Sequence, residues 1–315
     1  MPSAGSSREK RHGYPRPSVT DLVVATPVFL DLTFVGLESL PALGEERFAA
    51  ELLRSPGGGA ITAVSASRLG LRAAVAAPLG DDVPGDLVRG MLAAEGVEWI
   101  ASRPAPRTPT TVVMPFGGDR AMVTIDPGAR ALASDVAAAA PRAVAASLDQ
   151  LYAVPNGTPT YVTCGDDDLR AYQRRPPAAL DGARVLVVNE REALGLSGKD
   201  TVADAGAMLA ERVETVVVTL AGEGAISVSD GATITVPAER VEHPADTTGA
   251  GDLLTAAYIW ADLNGAEPED RLRWAVLYAG LAVTTPTGVG GAVDEAALLG
   301  EGAARGLTPP PSAGG

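Results

Sequence analysis

The sequence predicts an α/β fold with three layers, α/β/α, around a mainly parallel central sheet, and a small second sheet attached as a lid. Three observations predict it. Short apolar runs alternate with longer Ala- and Leu-rich runs along most of the chain. The short runs are continuous, so both faces of their sheet must be covered, as flanking helices do for parallel strands. Two segments, about 32–56 and 101–127, interrupt this alternation, and the second has period-2 stretches around Gly117-Gly118, a hairpin signal.

The elements follow in order. "DLVVAT" (21–26) reads as the first strand, "GAITAVSASRLG" (59–70) as a helix ending at Gly70, and "RAAVAAPLG" (72–80) as a strand. "GDLVRGMLAAEGV" (85–97) reads as a helix with Gly96 near its end, and "RVLVVN" (184–189) as a strand. "TVADAGAMLAERV" (201–213) is a helix with Thr201 as N-cap, "TVVVTL" (215–220) a strand, and "GDLLTAAYIWADLNG" (251–265) a helix. "GDDDLRAY" (165–172) reads as a solvated acidic loop with Cys164, a small buried residue, before it. Ligands of open α/β sheets bind at the carboxyl ends of the strands, where the small sheet would cap them.

Composition narrows the functions. The 315 residues are 46% hydrophobic and 20% charged, which suits one large domain or two smaller ones. A net charge of −14 disfavours nucleic acid and anionic membrane as partners. There are two lysines, Lys10 and Lys199, and no GxxxxGK[ST] loop. Two histidines, His12 and His243, exclude a His-rich metal site, and the lone Cys164 excludes an intrachain disulfide. Residues 1–19 have no apolar core and read as a disordered tail, consistent with a cytoplasmic protein. The apolar stretch 21–37 carries Asp21 and Asp31 and reads as buried strand, and the end, 306–315, reads as a second loose tail.

"DTTGAGD" (246–252), before the last apolar helix, carries the chemistry. Its glycines allow a sharp turn and close backbone approach. A helix start presents unpaired amides and a positive dipole end, so Gly249, Ala250 and Gly251 could cradle an anion. Asp252, at that positive end, is expected to stay ionised and could take a proton from an attacking hydroxyl. The same heptapeptide also serves as an ordinary capped helix start.

The heptapeptide resembles the C-terminal signature of the PfkB/ribokinase family of ATP-dependent carbohydrate kinases. Four more segments resemble family landmarks in family order: "SPGGGAITAVSASRLG" (55–70), "PLGDDVPGD" (78–86), "NEREA" (189–193) and "VTLAGEGA" (218–225). The resemblance spans about residues 21 to 300. It implies Asp252 as catalytic base, with Gly249, Ala250 and Gly251 as the anion hole for the phosphoryl group. It implies Asp31, Gly57, Gly58 and Thr62 at the acceptor. Asn189, Thr219, Gly222 and Gly224 would lie at ATP, and Asn189 and Glu192 would organise Mg2+. Asp246 and the Thr248 carbonyl match the family's monovalent-cation site, with K+ as the candidate ion and the loop 284–291 supplying further carbonyls.

The implied partners are ATP and a small sugar acceptor, with a nucleoside as the alternative acceptor and a sugar sensor as the non-catalytic alternative. A homodimer through the small sheet is the implied association. The sequence departs from the family pattern in three places. Ala221 stands where many members have glycine, which would shift the turn. Gly replaces a frequent Lys within the Gly-rich turn. Ile61–Thr62 stands where many members place Asn, so a side chain that would hydrogen-bond the sugar is lost. For a sugar-phosphate acceptor, Arg54, Arg103, Arg107 and Arg120 are the candidate cations.

Overall fold

A computed structural model describes residues 20–116, 119–239, 249–283, 285 and 288–312. The first half runs β1 (Leu22–Val24), β2 (Val28–Val35), β3 (Glu51–Gly58), α1 (Gly59–Arg68), β4 (Ala73–Val75), α2 (Val83–Ala94), β5 (Glu98–Trp99), β6 (Thr110–Phe116), β7 (Asp119–Ile125), α3 (Ala133–Ala138) and β8 (Ala143–Ser147). The second half runs β9 (Thr160–Thr163), α4 (Asp166–Tyr172), β10 (Val185–Asn189), α5 (Glu190–Ser197), α6 (Val202–Ala210), β11 (Thr215–Thr219), β12 (Ala225–Ser229), β13 (Ala232–Val236), α7 (Ala250–Leu263), α8 (Pro268–Ala282) and α9 (Glu295–Ala304).

Nine strands form the main sheet in the order β13-β12-β11-β10-β9-β8-β1-β4-β5. From β11 to β5 neighbouring strands are parallel, and β12 and β13 add an antiparallel edge. Side chains alternate between two cores. Leu22 and Val24 point into the layer with α1, α7 and α8, while Val23 points into the layer with α5 and α6. Trp260 on α7 and Trp274 on α8 are fully buried and meet edge to face at 5.6 Å, which locks those two helices together.

The second sheet has the order β3-β2-β6-β7. The apolar run 21–37 is thus two strands in two sheets, since β1 belongs to the large sheet and β2 to the small one, with Pro27 between them. The hairpin expected around Gly117-Gly118 pairs β6 with β7 antiparallel, and the two glycines themselves lie outside the described residues.

Two local expectations change. "GDDDLRAY" is helical: α4 starts after Gly165, and its three acids fill the first turn, where the helix dipole favours them. Asp168 is buried there and accepts from the amides of Gly165 and Asp149. The C-terminal stretch is tied down as far as it is described. Trp274 Nε1 donates to the Thr308 carbonyl and Ser312 N to that of Asn264. Residues 1–19 and 313–315 lie outside the described residues.

Candidate functional site

Helix α7 supplies the floor of the site. Gly249 is its N-cap and adopts a left-handed backbone, φ 78°. A Cβ there would stand 2.8 Å from Ile61 Cδ1 and 3.1 Å from Gly288 Cα, so glycine is required on space as well as on dihedral. The amides of Ala250 and Gly251 belong to the first turn, which no intrahelical backbone bond satisfies, and the amide of Asp252 turns to its own carboxylate. Among the described residues no neighbouring atom would lie within 4 Å of a Cβ at Gly251, which is exposed.

The small sheet supplies the opposite wall. Asp31 pairs in register with Thr111, and Thr111 with Thr124; the next row is Thr33, Val113 and Met122. Residues two apart on a strand share a face, so Phe29, Asp31, Thr111, Val113, Arg120, Met122 and Thr124 stand on one side of this sheet. Together with Gly58, Ile61, Gly249 and Asp252 they enclose a cavity of about 230 Å³. That volume lies below the range of drug-sized pockets and suits a small ligand. Of the four candidate arginines, Arg120 alone reaches this lining.

Asp252 is half-buried in the cavity wall. Burial pushes its carboxyl up to about 7, opposed by a hydrogen bond from Thr62 and reinforced by the negative charges of Asp31 and Glu192. Desolvation and two neighbouring carboxylates thus act against the helix end expected to keep Asp252 ionised. Thr62 Oγ1 donates to Asp252 Oδ1 at 3.1 Å, and Thr62 is not part of the cavity lining.

The glycines before α1 make room for the protein's own atoms. A Cβ at Gly57 would fall 2.0 Å from Asp31 Oδ2, and one at Gly58 2.7 Å from the Phe29 ring. Gly58 lines the cavity, and Gly57 lies behind Asp31.

Asn189 and Glu192 form a reciprocal cap on α5. Asn189 Oδ1 accepts from Glu192 N, and Glu192 Oε2 accepts from Asn189 N, both at 2.9 Å. Burial pushes Glu192 up to about 7 and Asp168 up to about 6. Thr219 ends β11, and in the turn after it Ala221 takes the left-handed conformation, φ 50°, that glycine adopts without strain. Gly224, φ 102°, has no room for a side chain, because a Cβ would fall 2.1 Å from the Val236 carbonyl. Among the described residues nothing crowds Gly222. Cys164 is half-buried, and burial raises its thiol pKa, so it stays protonated. Asp246, Thr248 and His243 lie outside the described residues. Among the described residues no group of three or more His, Cys, Asp or Glu side chains could hold a metal ion alone. Nor is any described helix long and apolar enough to cross a membrane.

Sequence reasoning missed Phe29, Thr111, Val113, Met122 and Thr124. The period-2 alternation of the hairpin contained the signal, because residues 111, 113, 120, 122 and 124 share one face once the register is known.

Known proteins resemble this chain in sequence and in fold. The chain is 29% identical over 271 residues to the ribokinase of Bacillus subtilis (strain 168), covering 80% of this chain and 89% of that protein. The Arabidopsis thaliana ribokinase complexed with ribose and ATP superposes with a TM-score of 0.73 at 24% identity, over 90% of this chain and 99% of that one. The adenosine kinase of Sinorhizobium meliloti gives a TM-score of 0.72 at 21% identity, over 92% and 100%. These likenesses establish the ribokinase fold. The model of the pfkB family carbohydrate kinases matches residues 44–293, and the chain belongs to that family.

Proposed function

We propose that this protein is an ATP-dependent kinase that transfers the γ-phosphate to a hydroxyl, expected to be a primary one, of a small sugar. One observation carries the reading: a half-buried carboxylate with a pKa near 7, Asp252, stands beside the open amides of a helix start and faces Asp31 across a small cavity. A base is most useful when its pKa lies near the working pH. Asp252 takes the acceptor proton, and the amides of Gly249, Ala250 and Gly251 meet the phosphoryl charge. Asp31 orders the acceptor by accepting from its hydroxyls.

The residues present fit a magnesium nucleotide. Glu192 and Asp252 are both raised to about 7, and Glu192 adds to the shift of Asp252, so a cation held near Glu192 would relieve both. Glu192 Oε2 and Asn189 Oδ1 are engaged in the cap, which favours contact with the ion through water, the usual habit of Mg2+. When bound, the ion neutralises charge on the phosphates. Thr219, Gly222 and Gly224 would lie along the nucleotide, and Asp246 with the Thr248 carbonyl would hold K+. The far face of the small sheet leaves Val123 65% and Ile125 47% exposed, which supports a homodimer through that sheet.

A nucleoside acceptor is the second reading. Phe29, Ile61, Val113 and Met122 give the lining an apolar part that a base could fill. The test is ADP release with Mg2+ and K+ across ketoses, aldoses, sugar acids, sugar phosphates and nucleosides, with Asp252→Asn as control. Arg120 earns the acidic acceptors their place in that panel. Turnover of a sugar that vanishes in the variant supports the main reading, and turnover of nucleosides alone supports the second. Sugar binding without ATP consumption would make the protein a sensor.

A further inference from the structure

Two consecutive residues of α1 meet the first turn of α7. Thr62 and Ile61 are each 3% exposed. Thr62 donates to Asp252 Oδ1, and Ile61 packs under Gly249, close enough that any side chain there would collide with it. These are the residues that depart from the family pattern at the acceptor. In this chain the two positions contact the turn that carries Asp252.

A helical threonine can return its hydroxyl to the carbonyl four residues back. Thr62 instead donates to a carboxylate 190 positions away in sequence. Its branched Cβ limits χ1 to few wells, so the backbone of α1 sets the direction of that hydroxyl. With Oδ1 held by Thr62 the two carboxylate oxygens are no longer equivalent, and Oδ2 is the one without a side-chain donor among the described residues.

We propose that Thr62 is a positioning residue for phosphoryl transfer: it anchors Oδ1 of Asp252 so that Oδ2 faces the acceptor hydroxyl, while Ile61 sets the height of the turn beneath Gly249. The inference rests on Asp252 acting as the base. In the step it serves, the acceptor oxygen bonds to the γ-phosphorus, the bond to the β-γ bridging oxygen breaks, and the acceptor proton passes to Oδ2. The products are ADP and the phosphorylated acceptor. Asp31 from β2 and Glu192 from α5 are the carboxylates that act on Asp252, and Arg120 from β7 shares the cavity lining. Thr62 and the amide of Asp252 favour its charged form.

The test is steady-state kinetics against pH for Thr62→Val, Thr62→Ser and Asp252→Asn, with the best acceptor of the panel. Thr62→Val should lower kcat about tenfold, the rate equivalent of one hydrogen bond to a charged group, and leave KM for the acceptor little changed. Its acid limb should move to higher pH, and Thr62→Ser should restore most of the rate. In the Asp252→Asn background, Thr62→Val should cost nothing further. Three results would overturn the inference: a normal kcat with an unmoved limb, a raised KM with normal kcat, or equal losses in Thr62→Val and Thr62→Ser. Should Thr62→Val fail to fold, Thr62→Ala carries the same comparison. Full activity in Asp252→Asn would sink the underlying reading, whereas a normal Thr62→Val beside a dead Asp252→Asn would sink only this one.

Discussion

Helix α7 carries two aspartates, Asp252 in its first turn and Asp262 near its end, about 15 Å apart along the axis, and their surroundings push them in opposite directions. Asp262 has a side chain 1% exposed. Burial alone would raise its pKa, but hydrogen bonds from Arg184 and Tyr161, with the charge of Arg271, hold it below the usual carboxylate range. Arg184 NH2 donates to Oδ1 at 2.7 Å, and Arg271 Nε lies 3.2 Å from the same oxygen. Asp252 has no cation paired with it among the described residues, and its pKa goes up. The comparison separates two uses of one residue type. A carboxylate surrounded by cationic donors stabilises the fold and is chemically inert; one left with neutral donors alone beside other carboxylates costs stability and can move a proton.

The largest effect should come from Asp252→Asn. Loss of a general base lowers kcat by about 10²- to 10⁴-fold, or roughly 3 to 5.5 kcal/mol of barrier, with ATP binding kept. Near-normal turnover would remove Asp252 from the mechanism. The same variant tests the comparison on stability. A carboxyl whose folded pKa is raised to about 7 binds protons that the unfolded chain releases, so its stability contribution falls as pH rises from about 4 to about 7. The metal-free Asn variant should therefore be no less stable than wild type at pH 8. With Mg2+ bound and lowering the Asp252 carboxyl from its metal-free value of about 7, the wild-type rate should fall on an acid limb below that value as the base is protonated.

Arg184→Met should do the reverse. It strips the bidentate partner from a buried carboxylate, for about 3 kcal/mol of lost stability in urea unfolding. At a temperature where the variant remains folded, kcat should match wild type. A rate loss without a stability loss would break the division between the two ends of α7. A smaller effect is expected from Glu192→Gln. A carboxylate that reaches the ion through water supports metal affinity by about 10- to 100-fold, so half-maximal activity should need that much more Mg2+. An unchanged Mg2+ requirement would leave Glu192 as a helix cap alone.

The same contrast explains what could be read from the sequence. The parallel sheet was legible because its strands are continuous apolar runs, such as Val185–Asn189 and Thr215–Thr219. The turn at Gly249 was legible because glycine and a following apolar helix are local signals. Asp262 was not, since nothing near it in sequence announces Arg184, Arg271 or Tyr161 as its partners. Thr62 was placed at the acceptor and turned to Asp252 instead, because the crossing of α1 and α7 decides where its hydroxyl goes. The acidic run before Leu169 does not announce its helix, because Asp166 and Asp167 stay exposed and only Asp168 turns inward to accept from the amides of Gly165 and Asp149.

The smallest effect, and the finest test of the paired aspartate, is Tyr161→Phe. Tyr161 is fully buried, and its hydroxyl donates to Asp262 Oδ2, the oxygen that also accepts from Arg184 Nε at 2.5 Å. Removing the hydroxyl leaves both arginines in place, so the loss should be about 1.5 kcal/mol, that of one hydrogen bond to a charged group. The sign with pH follows from the depressed pKa of Asp262. Its contribution is present above the unfolded value, about 4, and is lost as pH falls through the lower folded value. The gap between wild type and Tyr161→Phe should thus be constant from pH 8 to about 5 and close in stronger acid, where Asp262 is protonated in both. Catalysis at permissive temperature should be untouched. Equal stability at neutral pH would show that the arginines alone hold the charge, and Tyr161 would then be a packing residue that happens to point at it.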